Sequence, residues 1–115
     1  MESKNVYKVA VEALEELKAL NIITIDVTKV TTITDYFIIS TGTSDRHRKS
    51  LADIVEETMN KAGYETLSKE GYNKANWILL DFGYVVVNIF AQEARNKFNL
   101  ERLWSDGILS EIRNR

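Results

Sequence analysis

Cysteine and proline are both absent from this 115-residue chain, and histidine occurs once, at His47. Without cysteine there are no disulfides, no thiolate metal ligands and no cysteine nucleophile. A single histidine excludes a multi-histidine metal centre. No apolar run approaches the roughly 20 residues that span a bilayer. The opening MESKNVYKVA lacks the continuous apolar stretch of a secretory signal. A cytoplasmic protein with no membrane contact is the expectation. The net charge of −2 predicts no broad polyanion-binding surface, so any contact with nucleic acid has to be local. Repeats, low-complexity segments and Pro-, Gly- or Ser-rich linkers are missing too. What remains is 44% hydrophobic and 28% charged, the balance of one globular domain with a single two-layer core.

Periodicity organises that domain. Tyr7, Ala10, Val11, Leu14 and Leu17 recur at helical spacing within residues 4–20, with Ser3 as N-cap and Asn21 as stop. NIITIDV alternates, Ile23, Ile25 and Val27 against Thr24 and Asp26, which predicts a half-buried strand. VTTITD reads as loop. YFIIS has no polar alternation and reads as a strand covered on both faces. A second helix is predicted over 45–62, with Leu51, Ile54, Val55, Met59 and Ala62 inward and Gly63 just past its end. YETLS suggests an edge strand and KEGYNKA a polar loop. NWILLD and YVVVNIF form a hairpin. AQEARNKFNLERLW reads as a helical segment with Ala94, Phe98 and Leu103 inward, and residues 105–115 as a mobile tail behind a single domain of residues 1–104. The order αββαβββα predicts an α+β fold with a mixed four- to five-stranded sheet and flanking helices.

The most active-looking stretch is STGTSDRHRK, residues 40–49: a strand end, a small-residue turn at Gly42, then a basic helix start. A phosphate there would meet backbone N–H groups, the positive end of a helix and nearby cations. Alternatively Ser44 caps the helix and Gly42 eases the turn. Arg46, His47, Arg48 and Lys49 sit where cations are unfavourable by about 0.3–1 kcal/mol each, so something negative or well solvated has to accommodate them. Nucleotidyl transfer, however, needs Mg²⁺ held by closely set carboxylates, commonly at i and i+2 of one strand. Asp26, Asp35 and Asp81 are isolated at separate strand ends, and no Walker lysine, GxGxxG or GxSxG is present. No catalytic residue, cofactor or metal is assigned, and the chain is not expected to be an enzyme. A nucleotide-binding, transferase-like protein using Gly42–Lys49 is the alternative.

The hairpin carries the stronger surface signal. With a two-residue loop at Phe82-Gly83, Asp81 pairs with Tyr84 and Trp77 with Asn88. One face is then aliphatic: Ile78, Leu80, Val85, Val87 and Ile89. The other carries Trp77, Leu79, Asp81, Tyr84, Val86, Asn88 and Phe90, aromatic groups beside an acid and an amide. A three-residue loop would shift the pairing by one and scramble this division. The mixed face either packs beneath a helix or meets a partner; its make-up is that of a binding hot spot.

Together TTITDYFIISTGTSDRHRKSLAD, NWILLDFGYVVVNIF and AQEARNKFNLERLW resemble the Iojap family, also called ribosomal silencing factor RsfS, over residues 4–104. The resemblance implies a non-enzymatic repressor of translation that binds the large ribosomal subunit through ribosomal protein fourteen and sterically blocks association with the small subunit. It implies assembly roles in organelle relatives, and a nucleotidyltransferase-like fold without the metal carboxylates. Trp77 matches the tryptophan of the family's contact surface, Asp81 the hairpin acid, and Asn88 stands where many relatives have histidine. Arg46 and His47 match the family turn and are candidates for a secondary contact, with ribosomal RNA or a neighbouring factor. Residues after Trp104 lie outside the shared pattern. A homodimer closed by the same face is a further possibility.

Overall fold

Val6, Ala10, Val11, Ala13 and Leu14 are buried along one side of the first helix, α1 (Glu2–Glu16), and Leu51, Ala52, Val55 and Met59 along the second, α2 (Asp45–Lys61). Both stripes follow from residues spaced three and four apart. They meet one face of a sheet, where Ile22, Tyr36, Ile38, Ile78, Leu80, Val85, Val87 and Ile89 complete the main core. The computed structural model describes residues 2–29, 31–98 and 108–112. Its strands are β1 (Leu20–Asp26), β2 (Tyr36–Thr41), β3 (Ser68–Glu70), β4 (Trp77–Asp81), β5 (Val85–Phe90) and β6 (Ile108–Ile112), with a short α3 (Gln92–Phe98) between the last two.

The sheet order is β3-β4-β5-β2-β1-β6. Only β2 and β5 run parallel; every other neighbouring pair is antiparallel. The α+β class, the mixed sheet and the flanking helices are as the periodicity implies. The sheet has one strand more than the expected four or five, because Ile108–Ile112 is no loose tail: it pairs antiparallel with β1 from Asp26↔Ile108 to Ile22↔Ile112. A five-residue strand at the end of a chain leaves little periodic signal, and its partner lies more than 80 positions earlier.

Smaller differences have local causes. Ser3 lies inside α1, and that helix stops before Asn21: Lys18 takes φ 61°, while its N–H and that of Ala19 close the last turn onto the Glu15 and Leu14 carbonyls. β1 is covered on both sides through its middle, where Thr24 is 4% exposed beside Ile23 and Ile25. The edge strand β3 begins at Ser68, so YETLS is mostly approach. In α2, Ala62 is exposed at the C-cap, and Arg48 and Ala52 take inward places instead. Gly63 follows with φ 97°, as expected of a C′ glycine. Leu103 lies outside the described residues.

The hairpin register is also corrected. Trp77 pairs with Phe90, Leu79 with Asn88 and Asp81 with Val86, two residues from the expected pairing. The loop is Gly83-Tyr84, closed by the Phe82 N–H donating to the Val85 carbonyl. Gly83, at φ 90°, supplies the positive first position of a II′-like turn, which Phe82 cannot do cheaply. A slip of two preserves which side each residue faces. The division into an aliphatic and a mixed face therefore survives intact.

Candidate functional site

The Gly42–Lys49 turn is built for itself. Ser44 caps α2 by accepting the His47 N–H at 3.0 Å, and its carbonyl accepts the Arg48 N–H. The Thr43 N–H donates to His47 Nδ1 at 2.9 Å, so Nε2 carries the ring proton and donates to the Leu17 carbonyl at 2.8 Å. His47 thereby fastens the start of α2 to the segment after α1. Both ring nitrogens are used inside the chain, which corrects the expectation of His47 as an available contact. Arg48 is buried: its guanidinium donates to the Gly42 carbonyl, the Ala75 carbonyl and Asp45. Asp45 and two carbonyls answer the question of what meets a cation at a helix start. Arg46 is the exposed cation of the set. The Thr43, His47 and Arg48 N–H groups are thus spent on the turn's own hydrogen bonds.

The second sheet face holds a smaller core of Ile23, Ile25, Val27, Ile39 and Phe90, against which Phe37, Trp77 and Ala94 of α3 pack. Trp77 is half-buried. Its ring stacks on Phe90 with centroids 4.9 Å apart, and its indole N–H donates to Asn88 Oδ1 at 2.9 Å. Leu79 and Asp81 are half-buried along β4, and Tyr84 is 48% exposed at the hairpin tip. The remaining three expected contact residues differ. Val86, Asn88 and Phe90 are 6%, 1% and 0% exposed, so they hold the face in shape without presenting surface. Their depth follows from position: β5 is flanked by β4 and β2, and inner strands are covered where outer ones are not. Asp81 accepts the Gly83 N–H at 2.8 Å, which ties this acid to the turn.

A groove of about 910 Å³ opens between the Gly42 turn and the start of α3, with Trp77 in its wall. Sequence reasoning missed it, because Lys74, Asn76, Gln92 and Lys97 come from loops and helix ends with no shared motif. Arg95 was missed as well. It is 6% exposed and donates to the Asn21 carbonyl and Thr41 Oγ1, anchoring α3 under β1 and β2. For Arg48 a signal existed: it stands three, four and seven positions before the inward Leu51, Ala52 and Val55. A charge on an inward stripe announces a buried, multiply bonded group.

Two tyrosines titrate above their ordinary range. The Tyr72 hydroxyl donates to Asp53 at 3.2 Å, and that hydrogen bond, with lesser desolvation and the Asp53 charge, holds its proton. Burial chiefly raises Tyr36, helped by Asp26, Tyr7 and Asp35. Among the described residues, no helix is long and apolar enough to cross a membrane, and no three His, Asp or Glu side chains gather as metal ligands.

Fold and site define an α+β domain whose glycine turn serves its own architecture and whose exposed aromatic chemistry lies on a hairpin. The family model described as "Ribosomal silencing factor during starvation" (RsfS) matches residues 1–114. A ribosomal silencing factor RsfS from Haemophilus influenzae is 43% identical over 82% of this chain and 92% of its own length. The mouse protein named "Mitochondrial assembly of ribosomal large subunit protein 1" is 32% identical over 83% of this chain and 43% of its own. The crystal structure of a Chromobacterium violaceum protein superposes with a TM-score of 0.89 at 36% identity, covering 91% of this chain and 88% of that one. The chain belongs to the ribosomal silencing factor family. The match runs past Trp104, so the last strand is part of the shared pattern.

Proposed function

We propose that this chain represses translation without catalysis, in the cytoplasm, by binding the large ribosomal subunit through ribosomal protein fourteen and obstructing the face on which the small subunit docks. Family membership supports the silencing role, and the large-subunit name of the mouse relative supports the particle. The observation that carries the contact is the half-exposed Trp77, held rigid by Phe90 and Asn88. A pre-set aromatic loses little freedom on binding, which is what a hot spot requires. Trp77, Leu79, Asp81 and Tyr84 form the contact. Val86, Asn88 and Phe90 support it from below, and Arg46, at the start of α2, is a secondary contact.

An interface of this type covers about 800 Å² on each partner. Trp77→Ala removes its anchor and is expected to cost at least about 2 kcal/mol, roughly thirtyfold in affinity, with the fold retained. Cosedimentation with purified large subunits measures this. A Trp77→Ala chain that pellets with the subunit as the parent does would reject the site. Parent chain that binds but leaves subunit joining unchanged would reject the steric mechanism alone.

A further inference from the structure

The loop between β3 and β4 lies against the start of α2 and is pinned there at two points. The Tyr72 hydroxyl donates to Asp53 at 3.2 Å, and the Ala75 carbonyl accepts from the buried Arg48 guanidinium. The Ala75 N–H closes the loop onto the Gly71 carbonyl at 2.9 Å. Lys74 falls between the two anchors and lines the same groove as Thr43 and Arg48, which sets it beside the helix start. Arg46 and Lys49 stand on that helix start, and Lys49 Nζ lies 5.6 Å from the Tyr72 ring centroid. Arg46 and Lys74 are exposed and Lys49 is half-exposed. Cations from two elements are thus gathered over one small area.

The carboxylates of this area are committed elsewhere. Asp45 pairs with Arg48, Glu56 pairs with Lys69 at 3.0 Å, and Asp53 accepts the Tyr72 hydroxyl. Among the described residues, no carboxylate forms an ion pair with Arg46, Lys49 or Lys74. Asp53 keeps its charge, one against three. Arg46 and Lys49 also stand within the first five residues of α2, near the positive end of its dipole, where a cation is unfavourable. In a chain of net charge −2, such a surplus in such a place calls for an anion from outside.

We propose that Arg46, Lys49 and Lys74 form a contact for the phosphate backbone of ribosomal RNA, next to the hairpin contact on the large subunit. Three cations on two surface elements suit a run of phosphates. The aromatic ring among them, Tyr72, is already taken up by the Lys49 and Lys69 ammonium groups, so the contact reads charge and not base identity. Lys74 and Trp77 line one groove, so a chain seated on a ribosomal protein through its hairpin brings the patch to the neighbouring RNA of the same particle. The inference rests on the large-subunit reading above and supplies the partner of Arg46.

Binding of the full chain to purified large subunits is measured between about 50 and 200 mM salt at fixed Mg²⁺, and binding to isolated ribosomal protein fourteen alongside it. Arg46→Gln, Lys49→Gln and Lys74→Gln are combined in one chain; Lys61→Gln, at the far end of α2 where Lys61 pairs with Glu57, is the charge control. The triple variant is expected to bind subunits at least about tenfold more weakly, with a log–log salt slope shallower by about 2–3, the counterions of three phosphates. Its affinity for the isolated protein stays that of the parent, and Lys61→Gln leaves the slope unchanged. Lys74→Gln alone, on an exposed loop, should make the slope shallower by about one, so a poorly folded triple variant does not shield the proposal. An unchanged slope in both variants overturns it. So does an equal loss on the isolated protein, which would set the patch against protein instead of RNA. Trp77→Ala that binds both partners as the parent does, with the salt slopes as expected, would remove the hairpin site and leave the RNA contact standing.

Discussion

The side chain of Asn88, 1% exposed, accepts the Trp77 indole N–H at 2.9 Å from the neighbouring strand. Its amide nitrogen reaches the Ile38 carbonyl at 3.4 Å, so one buried residue links a half-buried aromatic to the central strand β2. Asn88→Ala removes both bonds and leaves a small void under the ring. Stability should fall by roughly 1–3 kcal/mol, the usual cost of stranding buried polar groups. Binding to the large subunit should weaken too, although Asn88 is too deep to touch a partner. Urea denaturation and cosedimentation measure the two effects. Undiminished binding by a destabilised Asn88→Ala chain would show that indole orientation does not matter to the contact.

Gly42 is required by space and not by backbone conformation. It is not among the glycines with positive φ, yet a Cβ on it would lie 2.4 Å from Arg48 Cγ. Arg48 cannot retreat easily, being bonded to the Gly42 and Ala75 carbonyls and to Asp45. Gly42→Ala is therefore expected to destabilise by about 1–3 kcal/mol, as overpacking does. The same change made in an Arg48→Ala background should cost much less, since the clashing atom is gone. Denaturation midpoints around this double-mutant cycle give the coupling. Additive costs would mean that the two residues do not compete for one space.

Tyr72 and Asp53 make a pH-dependent pair. The hydrogen bond to Asp53 stabilises the protonated phenol, so the folded pKa lies above the ordinary tyrosine value of about 10. Between the unfolded and folded values the native state binds more protons. The pair's contribution to stability is thus complete below about pH 10 and is lost as pH rises through the folded pKa. Of the five tyrosines in the chain, Tyr72 and Tyr36 should ionise late in an ultraviolet titration. Asp53→Asn should move one of these late transitions down and leave the Tyr36 transition in place. If neither moves, the Asp53 hydrogen bond is not what holds the proton.

Local periodicity was readable in this chain where apolar residues repeat, and unreadable where single polar groups bind across long separations. Ile78, Leu80, Val85, Val87 and Ile89 announced a core face, and the two-residue error in pairing did not disturb it because facing alternates with period two. The depth of Asn88 and Phe90 depended on β5 lying inside the sheet, and strand order is not written in alternation. The basic turn looked like a ligand site because sequence shows charges but not their partners. Arg48 is matched to Gly42 and Ala75 carbonyls, and His47 to Leu17, 30 residues away. The groove beside Trp77 needed the directions of α2 and α3 as well, which only tertiary packing supplies.

The strand at Ile108–Ile112 closes one side of the sheet, and its removal gives the sharpest test of the fold as a whole. It pairs with β1 at five positions, Ile22 to Asp26, and β1 has β2 on its other side. Deleting residues 108–115 leaves a run of unpaired N–H and C=O groups along β1. Each ladder hydrogen bond lost should cost roughly 0.5–1.5 kcal/mol. The opened edge also becomes a template for a second chain, since a bare strand edge recruits another strand. The truncated chain is expected to unfold at lower urea and to scatter light as dimers or larger species with rising concentration. Ser110→Pro separates the two effects: it keeps the full length but removes a donor opposite Thr24, so it should destabilise in the same direction and by less. A truncated chain as stable and as monomeric as the parent would show that β6 adds nothing to the domain in solution. Loss of stability without association would instead mean that the β1 edge is protected by its own twist and side chains, and that pairing with β6 serves stability alone.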